Sequence, residues 1–358
     1  MNPENNKVSN KIISAVVILL VLSIIGFTVH NKKLDNSPIK IGVILPLTGS
    51  LGFIGDSARH GAEMALENYR NTNHKYELVF EDDQYDVSKT VTAANKLISI
   101  DKVNDIVSLG SAEANVVKPL ANKNKIIHFT TAASDQTIAD GKYNFDHWTP
   151  PAEESETMVS GFLKRNVKKV AIFTTNNDGM IAIAGELKRQ LSDAGISVIL
   201  DEKINVGDRG FRTQIAKLKM NSPDIIVMQN TPPELEILAK QIKDAGIKTP
   251  LTSIEVFDTT TEPQLFKGNW YVTVSDPTEL FANSYKAKYG SGPSLATGNV
   301  YDIVSLIITA TENVKGTLTN EKVATELLKI KNLDGAMGNL SINSRGTVIS
   351  KASVKTVK

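Results

Sequence analysis

Four side chains stand at positions where layered α/β proteins carry out chemistry: Ser111, Ser134, Asp178 and Glu255. Ser111 follows the apolar run 105–109 and opens a helical stretch. The first N–H groups of a helix lack intrahelical partners, and together with the helix dipole they form a natural carboxylate site. Ser134 follows a similar run, 126–130, and heads a turn. Serines also cap helices routinely, so on the residues alone both roles stay open. Asp178 heads the helix after Thr174-Thr175-Asn176-Asn177, where it either offers a carboxylate to a ligand or caps that helix. Glu255 follows the strand-like TPLTSI, 249–254. A carboxylate withdrawn from water needs a cation, and an amine is the natural partner.

Other chemistries fit the residues poorly. Gly49, Gly52 and Gly55 are spaced G-x-x-G-x-x-G, whereas the dinucleotide loop is G-x-G-x-x-G. There is no G-x-S-x-G, Walker lysine or H-E-x-x-H, and the five histidines (His30, His60, His74, His128, His147) show no ligand spacing. His128 alternates with apolar residues and reads as core or cleft wall. The acidic cluster EDDQYD, 81–86, reads as a solvated strand-to-helix turn and not as a metal site. No cysteine is present, which removes disulfides, thiolate metal sites, a Cys nucleophile and a lipid-modified Cys. A net charge of +1 leaves no electrostatic footprint for nucleic acid. A binding protein without cofactor or metal is the expectation, not an enzyme.

These residues need elements to position them, and the chain supplies a repeating unit. An apolar run at 39–45 ends at Pro46, a glycine-bearing loop follows, and Ala58, Ala62, Ala65, Leu66 and Tyr69 recur at helical spacing. Strands at 76–81, 105–109 and 126–130 alternate with helices, which predicts a mostly parallel sheet with helices on its faces. Ligands of such sheets lie at the carboxyl ends of the strands. The pattern pauses at 146–157, where two prolines precede a run of acids, and then resumes with strands at 170–174, 196–200 and 224–229. Helices are expected at 279–289, 297–313 and 321–330, and 338–357 alternates like antiparallel strands turning at Ser344-Arg345-Gly346. At 358 residues the α/β chain has room for two lobes.

Residues 12–29 form an uncharged apolar run preceded by Lys7 and Lys11. The run is at the lower limit for a membrane span and long for a signal-peptide core, and no A-x-A-like cleavage site follows. A signal-anchor is expected, with a cleaved signal peptide as the alternative. Either one puts residues from about 37 onward outside the cytoplasm.

Three stretches carry a family likeness: IGVILPLTGSLGFIGDSARHGAEMALE near the start, LAKQIKDAGIKTPLTSIE at 238–255, and FANSYKAKYGSGPSLATGNVYDIVSLIITA at 281–310. In this order they resemble the type I periplasmic solute-binding proteins of ABC importers, typified by the leucine/isoleucine/valine-binding protein. The resemblance implies a two-lobe type I periplasmic-binding-protein fold with three interlobe crossovers, near 148–151, 275–277 and 333–338. Lobe 1 would hold 37–149 and 277–335, lobe 2 would hold 150–276 and 336–358, and 1–36 would precede them. It also implies that Ser111, the backbone at Ala132 and Ala133, and the Ser134 hydroxyl (threonine is more usual) hold an amino acid's α-carboxylate. Glu255 would take the α-ammonium. Asp178 replaces a common tyrosine, and Ile54 replaces a common aromatic for which Phe53 could compensate. The implied function is hinge closure on an amino acid or small amide, by a monomer that docks on an ABC permease and is tethered by 12–29. The alternative is a tethered sensor of the same fold.

Overall fold

The computed structural model describes residues 37–69 and 72–358. The expected signal-anchor at 12–29 lies outside them. Among the described residues no helix is long and apolar enough to cross a membrane.

The first sheet joins β1 (Ile39–Leu45), β2 (Tyr76–Asp82), β3 (Asp105–Leu109), β4 (Ile127–Thr131) and β5 (Asn144–Asp146) in the parallel order β2-β1-β3-β4-β5. Helices α1 (Gly52–Asn68), α2 (Val87–Lys96) and α3 (Ser111–Asn124) connect its strands. Both faces of β1 are buried, as expected of a parallel sheet covered on both sides. The two-residue period of the strand divides the work. Ile41, Val43 and Leu45 pack with Ala58, Ala62 and Ala65 of α1, while Ile44 packs with Ala93, Ala94 and Val117 on the opposite face.

The second sheet joins β6 (Lys169–Thr175), β7 (Ser197–Ile204), β8 (Ile225–Gln229) and β9 (Leu251–Thr252) in the parallel order β7-β6-β8-β9. Its helices are α4 (Pro151–Lys164), α5 (Asp178–Asp193), α6 (Arg212–Asn221) and α7 (Glu234–Asp244). A separate core forms here around Phe162, Phe173, Leu187, Met228 and Leu238.

The chain then runs through β10 (Trp270–Val274), α8 (Glu279–Tyr289), α9 (Thr297–Asn313), α10 (Asn320–Lys329), β11 (Leu333–Gly335), β12 (Gly338–Leu340) and β13 (Ala352–Thr356). Helix α9 returns to the first core with Val300, Ile303 and Ile307. The last crossing departs from expectation. Residues 336–348 were expected in the second lobe, but Leu340, Ile342 and Val348 lie in the first core, and Thr347 bridges to Asp146 of β5. Only β13 pairs with β10, so the chain passes to the second core between 348 and 352. The 338–357 alternation is real but spans two sheets. β12 pairs back on β11, and the turn at 344–346 carries a single bridge, Ile342 to Val348.

Candidate functional site

A cavity of about 320 Å³ is lined by loops at the carboxyl ends of strands from both sheets. From the first sheet come Ser50 and Leu51 after β1, Gln84 and Tyr85 after β2, Ser111 and Glu113 after β3, and Ala132 and Ser134 after β4. From the second come Asn177 and Gly179 after β6, Val206 after β7, and Thr231 to Glu234 after β8. In both sheets the order reverses beside the first strand, β1 or β6. That reversal opens a crevice at the strand ends, and the cavity is two such crevices facing each other.

Ser111 is the first residue of α3, and Gly110 occupies the capping position with φ 105°. Only glycine takes that backbone conformation at little cost, and a Cβ there would lie 2.2 Å from the Glu113 carboxyl. The Ser111 Oγ does not cap its own helix. It accepts from the backbone N–H groups of Ser134 (2.8 Å) and Asp135 (3.2 Å), which fixes the loop after β4 against α3. Its own O–H stays available as a donor. The N–H groups of Ser111 and Ala112 precede the first bond of the helix, Ala114 N–H to Gly110 O at 3.0 Å. In the same loop Ala132 sits at φ 50°, which is uncommon for a residue with a side chain.

Glu255 is 6% exposed and stands behind Ser134, one layer beneath the cavity wall. Its backbone is strained: φ 67°, ψ −48°, with Val256 N–H donating to Ile254 O at 2.8 Å. This is a classic γ-turn, a rare conformation that costs on the order of 1–3 kcal/mol. The Trp148 indole N–H, from the first crossing between the lobes, donates to its carboxylate. Glu154 of α4 meets it from the other side. Both Glu154 oxygens lack a partner while the two carboxyls are charged, and one shared proton satisfies the pair. Burial pushes both acids upward, so the pair holds a proton between its two carboxyls. Asp146, at the end of β5, is also raised by burial and by the charge of Glu255.

The remaining expected residues are placed differently. Asp178 is exposed and follows Asn177, which is the actual cap of α5. Its carboxylate accepts from Asn115 Nδ2 of α3 at 2.8 Å, a bond across the two lobes. Ala133 is buried in a small cluster with Ala114 and Ile138 and does not line the cavity. Ile54 packs into the first core, and Phe53, 43% exposed, does not line the cavity. Leu51 supplies the apolar contact instead, because α1 begins one residue later, at Gly52. His128 is core. Its ring bonds Ser108 Oγ (2.8 Å) and Asn144 Oδ1 (3.0 Å), and burial lowers it to about 4.

Sequence reasoning missed Tyr85, Glu113 and Glu154. The cluster at 81–86 is not simply solvated. Asp82 accepts from Leu47 and Thr48, buried Asp83 accepts from the Tyr85 N–H (3.0 Å), and Asp86 caps α2. These bonds hold Gln84 and Tyr85 at φ 55° and 58° and turn the tyrosine to the cavity. Glu113 is 2% exposed on the cavity wall, one of its oxygens has no hydrogen-bond partner, and burial raises it to about 8. Gln84 and Tyr85 had a signal in the turn-rich EDDQYD, but Glu113 looks like any acid in a first helical turn.

The comparisons agree with this architecture. Residues 38–358 match the family model described as periplasmic binding protein. The chain is 26% identical to the leucine-, isoleucine-, valine-, threonine- and alanine-binding protein of Pseudomonas aeruginosa, over 91% of this chain and 90% of that one. It is also 26% identical to the Leu/Ile/Val-binding protein homolog 3 of Brucella melitensis, over 93% and 95%. Among solved structures, the leucine-binding protein LivK of Thermotoga maritima superposes with a TM-score of 0.82 at 25% identity, covering 89% of this chain and 95% of that one. The isoleucine complex of LivJ from Streptococcus pneumoniae shares the fold, with a TM-score of 0.79 at 22% identity and 89% and 96% coverage. The chain belongs to the type I periplasmic binding proteins, the extracytoplasmic solute-binding proteins of ABC transporters, in their Leu/Ile/Val-binding branch.

Proposed function

We propose that the cavity binds a small zwitterionic amino acid or amide, whose contacts to both lobes hold the cleft shut. One observation carries this reading: a helix N-terminus with a free serine O–H faces the cavity from one lobe, and a strained, buried carboxylate, Glu255, stands just behind the cavity wall from the other. The first suits a negative end and the second a positive end. Ser111, Ala132 and Ser134 form the carboxylate side. Glu154 and Trp148 hold Glu255 in place, and Asn115 to Asp178 is a strap across the closed lobes. The solute is then passed to an ABC permease, with the chain tethered by its N-terminal apolar segment.

Isothermal titration of the purified protein against a panel of amino acids and short amides tests the reading. Heat from at least one amino acid is expected, and heat from none removes it. Glu255→Gln should weaken that binding by about 3–5 kcal/mol, the cost of breaking a buried charge pair. An unchanged affinity would show that the ammonium lies elsewhere.

A further inference from the structure

Two acids stand on the cavity wall, and they differ. Glu234 is spoken for: it accepts from the Gly207 N–H and from Arg209 Nη1, both at 2.9 Å. Glu113 has no basic partner among the described residues, and its carboxyl accepts only from its own backbone N–H. It is 2% exposed, one carboxyl oxygen is buried without a hydrogen bond, and the side chain lies over Gly110 beside the Tyr85 ring. Among the described residues no lysine or arginine lines the cavity. Tyr85 feels the charge of both Glu113 and Glu255, so both carboxyls lie near it. Glu113 therefore offers a second anionic point, separate from the one assigned to the α-ammonium.

We propose that the solute carries a second cation: an amino acid with an amino or guanidino side chain, its side-chain cation meeting Glu113 while Glu255 takes the α-ammonium. This rests on the amino-acid reading above and narrows it. The groups facing Glu113 favour a cation. Asp83, Asp86 and Asp178 all add negative potential, and each is engaged by neutral donors: Thr90 and the Tyr85 N–H, the Lys89 N–H, and Asn115. The nearby ammonium of Lys89 donates to the side-chain amide oxygen of Gln84. A protonated Glu113 leaves its unpartnered oxygen unmatched, whereas an arriving ammonium or guanidinium supplies donors and charge together.

The test compares L-lysine with L-norleucine, which has the same carbon chain without the amine, by calorimetry on the full-length protein in mild detergent. Lysine is expected to bind at least about tenfold more tightly, and Glu113→Gln to remove that preference, since a buried charge pair is worth tenfold or more. Norleucine binding as tightly as lysine overturns the second cation and leaves the amino-acid reading standing. Heat from neither overturns both. A wild-type measurement needs no variant. Burial holds the Glu113 proton to about 8, so at pH 7 lysine should expel more protons than norleucine. Titration in buffers of different ionisation enthalpy reads this difference, and equal release by both ligands counts against the proposal.

Discussion

At the scale of the residue, the cleft keeps acids where most proteins keep none. Among the described residues Glu154 makes no ion pair, and the charged group acting on its carboxyl is another carboxyl, Glu255. Its neutral form can donate to Glu255 as the Trp148 N–H does. Glutamine reproduces that donor without a titratable proton. Glu154→Gln should therefore bind ligand as the natural chain does. It should also be more stable at pH 8 by about 1 kcal/mol or more, because a carboxyl raised on folding costs stability above its unfolded value and glutamine has no proton to keep. Urea unfolding at pH 8 measures it. Lower stability, or lost binding with Glu255 intact, would mean that Glu154 is needed as a charge.

At the scale of the element, helices α3 and α5 approach head to head across the cleft. A Cβ on Gly179, in the first turn of α5, would lie 3.0 Å from the Ser111 Oγ. Gly179→Val therefore props the lobes apart by side-chain bulk, although valine is the better helix former by a few tenths of a kcal/mol. Affinity should fall about tenfold or more while the melting temperature of the ligand-free protein holds or rises; unchanged affinity would show that full closure is not needed for binding. The parts of this arrangement readable in advance were local. An apolar run turning into a helical period placed Ser111 at the start of α3, and the run 249–254 placed Glu255 just past a strand. The parts not readable were relations between distant segments. Glu113 looked like an ordinary first-turn acid, and Glu154 was one of a run of acids opening a helix. The residue that caps α1, Leu51, reaches the cavity in place of Phe53, two positions on. The alternation at 338–357 fits two strands in one sheet as well as strands in two, so the last crossing came out too early.

At the scale of the whole molecule, the acids fall into two populations that pull stability in opposite directions with pH. At Asp82, Asp135, Asp140 and Glu312 burial is the largest single influence and pushes upward, but their hydrogen bonds together outweigh it, and at lightly buried Asp224 the hydrogen bonds dominate outright; all five are held below their ordinary values, so the stability they contribute is lost in acid. Asp83, Asp146, Glu154 and Glu255 are raised chiefly by burial, as are Asp105, to about 7, and Glu113, to about 8. A carboxyl raised on folding binds more protons in the native state than in the unfolded one, so stability falls as pH climbs from the unfolded value to the folded value. Buried His128 has the opposite sign, but it titrates only between its lowered value of about 4 and the unfolded value of about 6.5. From pH 6.5 to 8.5 the raised acids act alone among these groups, and the melting temperature of the ligand-free protein should drop by several degrees. A bound cationic solute exchanges protons for its own charge at Glu113 and Glu255, so at saturation the same scan should be flatter. Differential scanning calorimetry over that range, with and without ligand, reads both slopes. A ligand-free melting temperature that is level or rising above pH 6.5 would show that these carboxyls are charged in the folded state, and that the cleft finds its counter-charge within the protein.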